Sequence, residues 1–269
     1  LAFQIDTVHR TRLITADDRL LQPLPLHHVY PFVIGTLAPL ALGLTIVSPY
    51  ALTGPQLLRA LREGRVTVLL GVPRLYDALF EGLASRFEKH AVSRVLFDRG
   101  LGMLASVQGS PVARCGHRLL TPLRRRMAPD LRIMASGGAP LSPDLAARLA
   151  ALGWGVAVGY GLTETAPLLT IKMPDDPHFD SVGRAVEGVR LRIDPAALPE
   201  DREERSESGE GEILARGPNV FKGYHNLPDK TEAAFTADGW YRTGDIGRLD
   251  DAGYLRISGR VSTLIVTPG

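Results

Sequence analysis

Cysteine is almost missing from this sequence. The 269 residues include one, Cys115, so no disulfide can close within the chain and a reducing compartment, the cytoplasm, is the expected setting. An excess of either charge is missing too. Lys and Arg number 31 against 29 Asp and Glu, and a net charge of +2 offers no broad basic field for nucleic acid. The one basic cluster, Arg124-Arg125-Arg126, reads as a solvated helix face. Between Arg19 and Arg59 there is no Lys, Arg, Asp or Glu, and residues 29–47 approach the length of a bilayer crossing. Pro31, Gly35, Pro39 and Gly43 punctuate that stretch, and Thr45-Ile46-Val47-Ser48 has the β-branched character of a strand. It reads as a buried helix and a buried strand rather than a transmembrane segment, with peripheral membrane association left open. The chain starts at Leu1 with neither Met nor a basic segment leading into an apolar core, as an internal fragment would.

What is there is the composition of a packed protein. Hydrophobic residues make up 45% and charged residues 22%, which excludes a disordered or collagen-like chain. Thr53-Gly54-Pro55-Gln56 has capping-box spacing before a helix faced by Leu57, Leu58 and Leu61. Val66-Thr67-Val68-Leu69-Leu70 reads as a buried strand, and Pro73 opens a helix carrying Leu75, Leu79, Phe80 and Leu83. Residues 85–129 are too irregular to place. Leu131-Arg132-Ile133-Met134-Ala135 resumes as a strand, Ser142-Pro143 starts a capped helix, and Val156-Ala157-Val158 is the next strand. This alternation predicts an α/β fold, a layered, mostly parallel sheet with helices, over residues 1–178. From about residue 179 to 269 short alternating runs such as Val189-Arg190-Leu191-Arg192-Ile193 predict a small β-rich, distorted barrel-like subdomain. Residues 199–211 are dense in charge and Ser, as an exposed loop is.

Three glycine-containing loops stand at strand ends: Ser136-Gly137-Gly138-Ala139-Pro140, Gly159-Tyr160-Gly161-Leu162-Thr163-Glu164-Thr165 and Thr243-Gly244-Asp245. Ligands of open α/β sheets bind outside the carboxyl ends of strands. There glycine lets a base or phosphate approach the backbone, Thr163 can donate to a phosphate oxygen, and Glu164 can hold Mg²⁺. The plainer reading is that the glycines make turns and Glu164 starts a helix. Gly100-Leu101-Gly102-Met103-Leu104-Ala105 has dinucleotide-fingerprint spacing but no surrounding βαβ unit, and is taken as chance.

Residues 246–249 and 254–258 read as a hairpin around Asp250-Asp251-Ala252-Gly253. A two- or four-residue loop pairs Asp245 with Ser258 and sets Arg260 diagonally across on the same face, about 7–8 Å away. Asp245 can then accept from vicinal sugar hydroxyls while Arg260 donates to ribose or phosphate oxygens. Taken alone the pair is a surface salt bridge worth about 0–1 kcal/mol, and a three-residue loop would spoil the facing geometry.

Tyr160-Gly161-Leu162-Thr163-Glu164-Thr165, Ser136-Gly137-Gly138-Ala139-Pro140-Leu141 and Gly239-Trp240-Tyr241-Arg242-Thr243-Gly244-Asp245, in this order, resemble motifs of the adenylate-forming superfamily: acyl-CoA synthetases, peptide-synthetase adenylation domains and firefly luciferase. Gly183-Arg184, Gly223-Tyr224 and Gly259-Arg260 extend the resemblance. It implies that Gly138 and Ala139 border the adenine, Tyr160 stacks on it beside Gly161, Thr163 meets the phosphates and Glu164 supports magnesium. Asp245 would bind the ribose and Arg260 assist. In Leu24-Pro25-Leu26-His27-His28-Val29-Tyr30, the second histidine, His28, would lie beside the carboxylate substrate, and Gly159 would line the acyl pocket.

The implied reaction joins a carboxylic acid, a fatty acid on this reading, to ATP, and coenzyme A then captures the acyl adenylate. The family's phosphate loop would lie before Leu1 and its small domain with the catalytic lysine after Gly269, so the chain resembles a central fragment with negligible turnover of its own. Ser262-Thr263 departs from the acidic hinge pattern. Two other readings stay open: a noncatalytic nucleotide- or acyl-binding remnant of the same fold, and an amino-acid or aryl-acid adenylation domain.

Overall fold

The computed structural model describes residues 1–84, 99–104, 120–122, 124–197 and 209–261. The irregular stretch after residue 84, the charged loop around residue 200 and Ser262-Thr263 therefore lie largely or wholly outside the described residues. The chain divides into two units: Val8–Val158 with Met173–Asp180, and Leu1–Thr7 with Gly159–Lys172 and Ser181–Gly269.

The first unit is the α/β part. Its strands are β1 (Arg19–Leu21), β2 (Thr45–Val47), β3 (Val68–Gly71), β4 (Ile133–Ser136) and the first residues of β5 (Gly155–Tyr160). They pair in the order β2-β1-β3-β4-β5, every pair parallel, as the alternation of helix and strand requires. Leu20, Leu21, Val68, Leu69, Leu70, Met134, Val156 and Ala157 are all buried, which is why these strands read as continuous apolar runs rather than alternating ones. Each such leucine contributes roughly 2 kcal/mol by leaving water.

Within residues 29–47 the chain forms the short helices Val29–Phe32 and Ala38–Leu42 around a π-helical turn, Val33–Leu37, and then β2. Among the described residues no helix is long and apolar enough to cross a membrane. The helix Gly54–Glu63 begins where expected, but the capping box is not made: Thr53 contributes its carbonyl to Leu57 N–H and no side-chain bond. Ser142 does cap the helix Pro143–Ala151, accepting from Leu145 N–H. In the basic cluster Arg125 and Arg126 are exposed on a helix as expected, while Arg124 is half-buried and its Nη1 donates to Gly153 O at 2.5 Å.

At the start of β1 the buried Asp18 carboxylate gathers five donors, the weakest of them Thr15 Oγ1 at 3.3 Å. Thr67 Oγ1 lies at 2.6 Å, Thr15 N at 2.8 Å and Arg132 Nε at 2.9 Å, with Arg132 Nη2 on the second oxygen. Burial alone would raise its pKa; the hydrogen bonds from Arg132, Thr67 and Thr15 outweigh it and hold the carboxyl below its ordinary value.

The second unit is the β-rich part. Strands β6 (Thr170–Lys172) and β7 (Arg184–Ala185) pair antiparallel. Strands β8 (Arg190–Asp194), β9 (Gly211–Arg216), β10 (Tyr241–Leu249) and β11 (Leu255–Arg260) form an antiparallel sheet in the order β11-β10-β9-β8. Among the described residues that sheet is open, with β8 and β11 as its edges, so the barrel-like expectation is corrected to a four-stranded sheet.

The expected pairing of Asp245 with Ser258 is also corrected. The connection leaves Asp250 N–H bonded to Tyr254 O, Leu249 faces Leu255 and Gly247 faces Ile257. The register then shifts: Ile246 faces Gly259 and Asp245 faces Arg260, leaving Ser258 as the extra residue of a β-bulge.

Candidate functional site

In the β-rich unit the tyrosine-led loop, the late aspartate and the terminal arginine converge. Tyr160 closes β5, and its hydroxyl donates to Asp245 Oδ2 at 2.8 Å. Across the β10–β11 pair, Arg260 Nε donates to Asp245 Oδ1 at 2.7 Å. Asp245 is buried, while the Arg260 side chain is 57% exposed. Burial first, and then the Asp245 carboxylate, push the Tyr160 phenol far above its ordinary value, so it stays a proton donor. The hydrogen bond to Asp245 raises the Arg260 guanidinium in turn. A carboxylate has about four acceptor sites. Tyr160 and Arg260 take one on each oxygen, and the remaining capacity suits a pair of neighbouring hydroxyls.

Beyond Tyr160 the chain folds into a tight loop around a 3₁₀ turn, Thr163–Thr165. Gly161 is there for space: a Cβ would lie 1.6 Å from Pro167 O. Thr165 Oγ1 accepts from Leu162 N–H at 2.9 Å. The buried Gln4 amide donates to Thr165 O at 3.1 Å and Leu168 O at 2.7 Å, and the buried Asn219 amide donates to the same two carbonyls, at 2.9 Å each. Thr163 is exposed on this clamped loop and Glu164 half-buried. Glu164 O accepts from Phe221 N–H at 2.8 Å, and Glu164 Oε1 accepts from the Tyr224 hydroxyl at 2.9 Å. Burial, then the Glu164 bond, raise the Tyr224 phenol, which therefore remains protonated. The Tyr224 ring stands edge-on to Phe221 at 4.8 Å, and Phe221 stacks on Phe235 at 5.6 Å.

The other anticipated residues sit in the α/β unit, except Gly159, which precedes Tyr160 in β5. Gly138 and Ala139 follow the carboxyl end of β4 and are exposed, Gly138 with φ +78°. His28 is the exposed residue before the helix Val29–Phe32, its ring 4.2 Å from that of His27. Tyr30 ties this segment to the glycine loop: its hydroxyl donates to Ala135 O at 2.9 Å, and its ring fills the space beside Gly137 where a Cβ would stand.

Sequence reasoning assigned no role to Gln4, Asn219 or Glu212, and none to Tyr224 beyond its place in a motif. An isolated amide or acid carries no mark of its distant partner. Among the described residues no three of His, Cys, Asp and Glu come together as a metal cluster.

Comparison with known proteins identifies relatives along nearly the whole chain. The family model for AMP-binding enzymes matches residues 1–225. The long-chain-fatty-acid–CoA ligase heimdall of Drosophila melanogaster is 34% identical over 97% of this chain and 39% of its own length. The mitochondrial malonate–CoA ligase ACSF3 of Mus musculus is 32% identical over 95% of this chain and 42% of its own. Among solved structures, ATP-bound MatB from Rhodopseudomonas palustris superimposes with a TM-score of 0.73 at 30% identity, covering 99% of this chain and 45% of that one. The chain thus spans about two-fifths of the length of the curated relatives it matches.

Proposed function

Because the chain belongs to the AMP-binding enzyme family, we propose that the protein carrying it activates a carboxylic acid with ATP and passes the acyl group to coenzyme A. The observation that carries this reading is the convergence of Tyr160, Asp245 and Arg260, 85 and 15 residues apart in the chain, on one carboxylate. Asp245 accepts the two ribose hydroxyls, the ring of Tyr160 offers a face to the adenine, and Arg260 holds Asp245 oriented. Gly138 and Ala139 border the adenine, with Gly161 allowing the loop beside Tyr160 to close.

The acid's carboxylate attacks the α-phosphorus and pyrophosphate leaves. Two unit negative charges 4 Å apart repel by about 4 kcal/mol at an effective dielectric constant of 20, so the approach needs donors and cations already in place. Thr163 donates to phosphate oxygens from a loop that Gln4 and Asn219 keep rigid. Magnesium fits the donor set: it keeps several waters and needs only one or two carboxylates besides the phosphates, and Glu164 supplies one. When bound, it neutralises phosphate charge. His28 stands beside the acid's carboxylate and Gly159 lines its acyl pocket. No enzyme nucleophile is needed.

We place the protein in the cytoplasm, on the single cysteine. The substrate we favour is a fatty acid, on the likeness to a ligase named for long-chain fatty acids. A short dicarboxylate is the second reading, favoured by the relative named for malonate. Pyrophosphate exchange by the full-length protein with aliphatic, dicarboxylic, aryl and amino acids tests both, and silence across the panel sinks the assignment.

A further inference from the structure

Asp245 does not sit on a regular strand. Arg242 faces Leu214 and Ile246 faces Glu212, so Thr243, Gly244 and Asp245 together stand opposite Ile213 alone. Such a bulge strands backbone donors that a regular ladder would pair. Gly244 takes φ +71°, a conformation that favours glycine.

The stranded groups are recovered by two side chains. Thr243 Oγ1 donates to Ile213 O at 2.7 Å and accepts from Asp245 N–H at 3.1 Å. Glu212, buried on β9, spans the bulge: Oε1 accepts from Gly244 N–H at 3.1 Å and Oε2 from Arg242 Nη1 at 2.6 Å. Arg242 also lies 3.9 Å from Asp194. Glu212 thus fixes the residues on both sides of Thr243, and with them the direction in which Asp245 leaves the backbone.

We propose that Glu212 is a positioning residue for ribose recognition, acting through the Gly244 amide and Arg242 to aim Asp245 at the sugar hydroxyls. This rests on the nucleotide reading of Asp245 given above. Glu212→Gln keeps the size but turns one acceptor into a donor, so either Gly244 or Arg242 loses its partner. Glu212→Asp keeps the charge but is one methylene too short to reach both.

The experiment is calorimetric titration of the full chain with ATP and with 2′,3′-dideoxy-ATP, at a temperature where circular dichroism finds every variant folded. In the wild type ATP binds more tightly than the dideoxy analogue. Both Glu212 variants should weaken ATP about tenfold and leave the analogue unchanged, bringing the ratio of the two constants towards one. A merely structural role would weaken both ligands together or neither, and either result overturns the proposal. A wild type that does not distinguish the two nucleotides overturns the nucleotide reading instead. Should the variants not fold, hydrogen exchange at the wild-type Gly244 amide decides: protection supports the bridge, and exchange at the open-chain rate refutes it.

Discussion

Arg260 faces Asp245 directly because two irregularities in the β10–β11 pair act together. The turn connection shifts the register by one residue, which alone would place Gly259 opposite Asp245, and the bulge at Ser258 shifts it by one more. The bulged Ser258 is itself held, its hydroxyl donating to Glu210 at 2.6 Å. Same-face geometry survives because side chains alternate with a period of two.

The first prediction follows from that pair. Asp245→Asn should weaken ATP by roughly 10- to 100-fold, since hydrogen bonds to a charged group contribute about 1.5–3 kcal/mol. Binding of 2′,3′-dideoxy-ATP should change far less. Equal losses for both nucleotides in calorimetry would remove Asp245 from the ribose.

Tyr224 holds one oxygen of Glu164, so Tyr224→Phe should leave the fold intact and raise the magnesium concentration for half-maximal activity. The shift should be several-fold, in line with the loss of one hydrogen bond to a carboxylate of about 1.5–3 kcal/mol shared with solvent. The check is pyrophosphate exchange by the full-length protein against magnesium concentration; an unchanged midpoint separates Tyr224 from the metal.

Gln4 and Asn219 donate to the same two carbonyls, and this predicts non-additivity. Gln4→Leu or Asn219→Leu alone leaves Thr165 O and Leu168 O one donor each, and should cost about 1 kcal/mol. The double variant leaves both carbonyls unpaired, and should exceed the sum by about 1–2 kcal/mol. Urea unfolding of the three variants measures this; simple addition would mean that water replaces the missing amides.

Asp18 carries the pH prediction. Its folded pKa lies below the unfolded value, so the stabilisation is fully present above the unfolded carboxylate range and is lost as pH falls through the folded value. The Arg132 side chain is 44% exposed, which weakens the pair by screening. Asp18→Asn should therefore destabilise by about 1–2 kcal/mol at neutral pH, and the gap to wild type should close in acid. A gap independent of pH in urea titrations from pH 2.5 to 7 would assign the effect to packing.

Much of the scaffold was legible in the linear chain. Val68-Leu69-Leu70 and Val156-Ala157-Val158 announce buried parallel strands because both their faces are covered, and Ser142 caps the helix it precedes. Thr53 has the same kind of spacing and makes no side-chain cap, although its carbonyl accepts from Leu57 N–H just as the Ser142 carbonyl accepts from Ala146 N–H. Tyr160, Thr163, Glu164, Asp245 and Arg260 were candidates beforehand because the motifs that carry them are local patterns and carry the family resemblance.

The residue order by itself determined which segments become strands, where the glycine turns fall and which side chains are candidates for the site's chemistry, because propensity and periodicity act over a few neighbouring residues. Tertiary structure alone decided that Asp245 meets Arg260 rather than Ser258, that Gln4 and Asn219 share two carbonyls, and that Glu212 reaches the Gly244 amide. Those pairings join residues up to 164 apart, and bulges and buried hydrogen bonds between distant segments are settled only when packing leaves a donor with one acceptor in reach.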